Sequence, residues 1–498
     1  MRIALLPLDE RPVNTHYPQM IADIAGKTVL LPPAHMLSDL RTPANRDQLV
    51  DWLEKEALAL DVLIVSVEML GYGGLIASRT TDDDTETIMH YLDTLSRLKQ
   101  QHPALTIYAF NVITRISNAD NNIEEPLYWD QYGVRLYRYS QWMHRAEAGE
   151  PGAEQELDRL RADIPAEYIA DFTRRRLRNH TINLHMLELL ADGALDLLVL
   201  SSDDTSEYGF GTQEKRWLMT WARRLGLDES RLLMYPGADE IGCVLVMRAA
   251  VETPTRFYVT YAIDEDQERI APYEDSPVRV TVERQIRAIG GVQVGTLEEA
   301  DLIVAVNPPS RIGQEYDAEL ENFASEQARR APYIEAFAVQ VGAWVEAGRR
   351  VVLCDVAYPN GSDPDLIAHL LEGVDLMRLA AYGAWNTAGN TIGTALAQGV
   401  AVLNAAPQGI DAQTRFLMHR FIEDWGYQHV VRQQVRDWLE ETTGQRDTSP
   451  ENQAQAIAEI QAQLSALLPQ ISEDWRITAV RLPWRRTFEV DFDLEPNT

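Results

Sequence analysis

Short apolar runs recur along this chain, each followed by a loop and then by an amphipathic stretch. Ile3–Leu8, Val29–Leu31, Val62–Val67, Thr106–Ile113, Leu197–Leu200 and Leu232–Tyr235 predict one series of strands. Phe257–Ile263, Leu302–Val306, Val351–Cys354 and Leu379–Tyr382 predict a second. Most are β-branched or leucine-rich without polar alternation, the pattern of strands buried on both faces. Between them Arg46–Leu60, Asp84–Gln100 and Glu214–Leu225 carry helical periodicity. This alternation predicts an α/β fold, with parallel sheets covered by helices.

Ten strands exceed the eight of one closed barrel, so two α/β domains are expected, over residues 1–250 and 251–408. Periodicity leaves open whether the first is a doubly wound sheet or barrel-like. Residues 118–191 read as a helical insertion, with the Gly/Pro/Glu-rich loop Ala146–Glu154 near its middle. Residues 409–498 change character: helices over Asp411–Thr442 and Glu451–Leu467 precede two extended pieces, Ile477–Leu482 and Thr487–Asp493. They predict a C-terminal helical appendage closed by a hairpin-like β segment.

Ligands of parallel sheets bind at the carboxyl ends of the strands, so the residues following each strand matter most. Those positions hold Asp9-Glu10-Arg11-Pro12-Val13-Asn14, Glu68 with Gly71-Tyr72-Gly73-Gly74 and Arg79, Thr114-Arg115, Asp203-Asp204 and Asp239-Glu240. Converging carboxylates push one another's pKa values apart, which lets one stay protonated while another acts as base or nucleophile. Glycoside hydrolysis needs that division of labour. Asp203 and Asp239 are therefore the expected catalytic pair, with Asp9 and Glu68 tuning or orienting. Glu10, Arg11, Asn14, Tyr72, Arg79, Arg115, Asp204 and Glu240 are expected to bind substrate. The plainer alternative for any one acid is helix capping, and Asp239 ahead of Ile241–Arg248 fits it. In the second half, Asn307 and Asp355 follow strands and are also expected to bind substrate. The stretch Ala381–Thr394 offers Trp385 as an apolar face for a sugar ring, with Asn386 and Asn390 as donors and acceptors. There the alternative is tight helix packing on Gly389 and Gly393, capped by Asn386 or Thr387.

Charge and missing motifs narrow the classes. With 45 basic residues against 76 acidic ones, the net charge is −31. Such a surface repels phosphate backbones and anionic lipids, so neither nucleic acid nor membrane is an expected partner. No GxxxxGK[ST], GxGxxG after the first strand, GxSxG or HExxH is present. His16 and His35 follow the first two strands, whereas His180 and His185 point to different faces of a helix. No metal site or cofactor is expected, the alternative being an all-oxygen Mg²⁺ or Mn²⁺ site from Asp9, Asp203 and Asp239. Two cysteines make no disulfide framework, and no apolar run approaches a membrane span, so the cytoplasm is the default address.

Five segments together carry a resemblance: LPLDERPVN, SVEMLGYGGLIASR, SSDD, PGADEIG and AYGAWNTAGNTIGTALAQG. They resemble a bacterial domain-of-unknown-function family, number four-one-two-seven, over nearly the whole chain. That family's opening motif commonly has two aspartates before Arg–Pro, where this chain has Asp9-Glu10. The resemblance implies no settled activity, cofactor or catalytic assignment. The residues themselves point first to a hydrolase of glycosidase type acting on a small carbohydrate, alone or as a homo-oligomer. The alternatives are a metal-dependent hydrolase or lyase, and a non-catalytic sugar-binding protein.

Overall fold

A computed structural model describes residues 1–203, 205–317, 321–407 and 409–497. Two parallel sheets dominate it. The first comprises β1 (Ile3–Leu6), β2 (Val29–Leu30), β3 (Val62–Ser66), β4 (Thr106–Ile113), β5 (Leu197–Ser202) and β6 (Leu232–Pro236). Their order is β2-β1-β3-β4-β5-β6, an open sheet rather than a barrel. Its inner strands are buried along nearly their whole length, as their unbroken apolar runs require.

The second sheet holds β7 (Arg256–Tyr261), β8 (Val292–Gln293), β9 (Leu302–Asn307), β10 (Val351–Asp355) and β11 (Ala381–Gly383). Its order is β11-β10-β9-β7-β8. Counted from its own first strand, it repeats the 2-1-3-4-5 order of the first sheet. Strand β8 was not foreseen, because two exposed edge residues leave no hydrophobic pattern to read. The antiparallel pair β12 (Trp475–Arg481) and β13 (Asp491–Pro496) is the expected hairpin-like piece.

Helix starts follow local chemistry. The Arg46–Ala57 helix begins where Asn45 accepts a hydrogen bond from Gln48 N–H, and Thr85–Gln101 where Asp84 accepts from Thr87 N–H. The Phe210–Arg224 helix starts four residues before the expected Glu214, behind Gly209 and without a side-chain cap to announce it. The insertion is three helices, Trp129–Glu147, Ala153–Asp163 and Ala166–Ala191. The first two are joined through Gly149 and Gly152, both at positive φ. The expected single helix over Asp411–Thr442 is Gly409–Arg420, then a wide π-helical stretch Phe421–Val431, then Arg432–Thr443.

The chain forms two compact units: Met1–Glu10 with Val29–Gly242 and Tyr273–Asp275, and Arg11–Thr28 with Cys243–Pro272 and Ser276–Thr498. The boundary thus falls at residue 242 rather than 250, residues 11–28 belong with the second unit, and residues 409–498 are part of that unit. The Arg11–Thr28 assignment follows from the His16–Ile24 helix packing on the Ala388–Leu403 and Gly409–Arg420 helices. Among the described residues, no helix is long and apolar enough to cross a membrane.

Candidate functional site

Parallel strands place all their carboxyl ends on one edge. In the first unit Asp9, Glu68, Asn111, Asp203 and Asp239 each belong to the end of a successive strand in the order β1-β3-β4-β5-β6. With strands roughly 4.8 Å apart, that row spans about 19 Å from first to last. The four expected acids share an edge, with Asp9, Glu68 and Asp239 buried.

Glu68 opens the π-helical turn Glu68–Tyr72 directly after β3. Its Oε1 accepts hydrogen bonds from Asn111 Nδ2 and Val112 N–H, both at 2.8 Å, and Oε2 accepts from Ser66 Oγ at 3.2 Å. Burial outweighs these bonds and pushes its pKa up to about 7. The following Gly73 and Gly74 are required by the turn. Both have positive φ, and a Cβ would come within 2.9 Å of Ala44 N and of Ser38 Oγ respectively. Tyr72 is buried under Arg178, which burial and packing explain without a ligand. Glu10 accepts hydrogen bonds from Ser38 Oγ and Leu40 N–H, so it ties down the loop after β2.

The densest constellation surrounds Arg79, in the short Leu75–Thr80 helix. Its Nη2 donates to Asp203 Oδ2 at 2.6 Å; its Nη1 lies 3.0 Å from Glu124 Oε2 and 3.6 Å from Glu125 Oε1. Arg115 Nη2 shares Glu124 at 3.0 Å, and its Nε is 3.9 Å from Glu125. Two guanidiniums thus hold three carboxyls. Burial pushes the Glu125 pKa up to about 7, against the pull of Arg79 and Arg115 and with the push of Glu124 and Asp203. Asp203 and Arg115 also line a narrow cleft of about 30 Å³ at the ends of β4 and β5. Its other walls are largely hydroxyls, from Thr114, Tyr137, Ser140, Ser202, Thr205, Ser206 and Thr212, with the Lys215–Asp275 ion pair at 2.6 Å.

Glu124 and Glu125 were missed by the sequence reading. Their only signal is a tandem acid pair before Pro126, early in the insertion rather than at a strand end. Asp239 and Glu240 are buried after β6, with the Glu240 carboxylate folded over Gly237. Asp204 lies outside the described residues.

The remaining expected residues belong to the second unit. Arg11 stacks over Trp484, 4.3 Å from the ring centroid, and sits 3.9 Å from Glu489; Asn14 is in the turn that follows it. Asn307 and Asp355 do meet: Asn307 Nδ2 donates to Asp355 Oδ1 at 2.9 Å, and Arg330 donates to Asn307 Oδ1 at 2.6 Å. Burial and the neighbouring Asp363 raise the Asp355 pKa to about 7. Trp385 is buried, with its ring 6.2 Å from Phe488. Asn386 takes φ +64° and accepts from Asn360 N–H, while Thr387, not Asn386, caps the helix by accepting from Asn390 N–H. A second buried group was also unforeseen: Arg420 pairs with Glu423 and Asp424, and Tyr17 donates to Glu423. Its signal is the i, i+3, i+4 spacing of Arg420, Glu423 and Asp424. Among the described residues, no group of three or more His, Cys, Asp and Glu side chains is placed to hold a metal ion.

One family model matches residues 3–493, and its description is a protein of unknown function (DUF4127). Neither the curated proteins nor the solved structures yielded a match.

Proposed function

Because the chain belongs to this family of unknown function, its chemistry has to be argued from its own residues, and we propose a carbohydrate-active hydrolase of glycosidase type. The substrate is a small sugar or glycoside bound at the mouth of the narrow cleft at the ends of β4 and β5. The observation that carries the reading is the pair Asp203 and Glu125 on one guanidinium. Asp203 faces the cleft with the Arg79 charge 2.6 Å behind it, which suits the anionic role of base or nucleophile. Glu125, pushed up to about 7, carries the proton a donor needs, although its side chain is buried and is not part of the cleft wall. Both carboxyls touch the terminal nitrogens of Arg79, which keeps them within the roughly 9.5 Å upper limit that glycosidases use. Glu125 thereby takes the place expected for Asp239. The hydroxyls of Ser140, Thr205, Ser206 and Thr212 donate to backbone carbonyls, which leaves their oxygens as acceptors for sugar hydroxyls.

The test is turnover of an aryl-glycoside panel by the purified chain and by Asp203→Asn and Glu125→Gln. Each variant should lose about 10²–10⁴-fold in kcat/KM. The Glu125→Gln loss should shrink on substrates with an activated leaving group, which need no proton donor. Undiminished turnover in both variants would remove the assignment. Calorimetric binding of a sugar with no turnover would instead favour a sugar-binding protein.

A further inference from the structure

The second unit has a carboxyl edge of its own. Asn360 follows β10, and Trp385 with Asn386 follows β11, the positions where parallel sheets bind ligands. The π-helical Phe421–Val431 adds Gln428, and such wide turns are rare and recur at functional sites. Among the described residues, seven non-glycine residues have positive φ. Four of them, Asn360, Asn386, Trp484 and Arg485, lie on segments that meet here, with Arg486 over both the Trp484 and Phe488 rings. Backbone strain of that kind concentrates at ligand clamps.

The half-buried Phe488 ring is the centre of the group. The Trp385 ring lies 6.2 Å from it, and the guanidiniums of Arg486 and Arg432 lie 4.8 and 5.9 Å from its centroid. Gln428 Nδ-side contacts are fixed, because its Nε2 donates to Phe488 O at 2.8 Å. Asn360 Nδ2 donates to Glu315 Oε1 at 2.7 Å, and Arg432 takes the other oxygen of Glu315. Those bonds settle which end of each amide is nitrogen. The opposite ends, Gln428 Oε1 and Asn360 Oδ1, accept no hydrogen bond among the described residues, and Trp385 Nε1 donates none. These side chains are only 4%, 8% and 3% exposed. Folded interiors rarely leave such atoms unpaired, because each has lost its water without compensation. Two acceptors and one donor beside one ring call for a ligand that both donates and accepts.

Charge narrows its class. Arg432 pairs with Glu315, and Arg486 lies 3.5 Å from Glu489. Arg436 is one turn on from Arg432, on the same face of the Arg432–Thr443 helix. Its Nε is buried without a hydrogen-bond partner among the described residues. Burial and the Arg432 charge both lower its pKa. An added negative charge would relieve both effects.

We propose that this part of the second unit binds a small hydroxylated anion, a sugar acid or a sugar phosphate. Its acidic group sits on Arg432 and Arg436, and its hydroxyls donate to Gln428 Oε1 and Asn360 Oδ1. One of its oxygens accepts from Trp385 Nε1, and the apolar face of its ring rests on Phe488. Phe488, Arg436 and Arg486 are partly exposed, so the ligand enters past them. None of these residues takes part in the proposed hydrolysis, so the inference does not rest on that reading.

Titration calorimetry of the full chain with glucuronate, glucose 6-phosphate, glucose and inorganic phosphate tests this. Glucuronate or glucose 6-phosphate should bind at least tenfold tighter than glucose or phosphate, and the tighter of the two identifies the acidic group. Arg436→Gln should abolish the preference over glucose while keeping the parent Tm or raising it, since it deletes a half-buried charge. Trp385→Phe keeps an aromatic ring but no N–H, and should weaken binding about tenfold. Asp203→Asn should bind as the parent does, whether or not the hydrolase reading holds. A chain that binds neither anionic sugar overturns the proposal, as does inorganic phosphate binding equally tightly. An affinity that either Arg436→Gln or Trp385→Phe leaves intact overturns it too. Binding lost in Asp203→Asn alone would place the sugar at the β4–β5 cleft instead.

Discussion

Glu68 is the buried acid whose protonation the surroundings define most completely. Its Oε1 accepts two N–H donors, which leaves Oε2 facing Ser66 Oγ, a group that can donate or accept. A proton on Oε2 could be donated to Ser66 Oγ, which accepts from Met69 N–H as well and would then turn its own proton away from Glu68. With the native pKa near 7 and the ordinary value at 4.5, the unfolded chain releases this proton first as pH rises. The group's stabilising contribution is thus full below about pH 4.5 and is lost as pH climbs through 7. Glu68→Gln imitates the protonated form, its amide donating to Ser66 Oγ. Relative to the parent, this variant should gain a few kcal/mol between pH 5 and pH 8, seen as a rising Tm difference. A difference flat across that range would show that Glu68 is ionised throughout. The identity of this acid was legible in the sequence, because it directly follows a buried strand. Its protonation was not, because Asn111 and Val112 come from the next strand along.

At the scale of elements, the turns at strand ends hold the acids in place, and glycine is needed where chain and carboxylate collide. Gly237 has φ +134°, and a Cβ there would lie 2.1 Å from Glu240 Oε1, a buried side chain. Gly226 also has positive φ, yet a Cβ there meets nothing within 4 Å. Gly226→Ala should therefore cost only the left-handed backbone term, about 1 kcal/mol, and Gly237→Ala about 2–4 kcal/mol, because Glu240 must also move. Urea titration of the two variants checks this; equal losses would mean that Glu240 relocates freely. Most elements were readable in advance, since burial on both faces leaves a run of apolar residues that needs no partner to be recognised. The exceptions have local causes: β8 is two exposed residues, and the π-helical Phe421–Val431 follows a helical pattern on either side. Nothing in that pattern distinguishes the wider turn.

For the whole molecule, a net charge of −31 works against compactness at neutral pH. Salt screens charges farther apart than about 8 Å at physiological ionic strength, while the close pairs around Arg79 are buried and largely insulated. Tm at pH 8 should therefore rise between low and moderate NaCl. A fall would mean that attractive surface pairs outweigh the net repulsion. The apolar and polar spacing alone determined the α/β class, nearly all the strands and the acidic carboxyl edge, because each is a property of a few consecutive residues. Only the tertiary structure decided that the first sheet is open, that residues 11–28 join the second unit, and that Glu124 and Glu125 come to Arg79. Arg79 reaches across 45 residues to one partner and 124 to another. A hydrophobic pattern records that a residue is buried, whereas the neighbour that neutralises its charge is chosen by the folded chain.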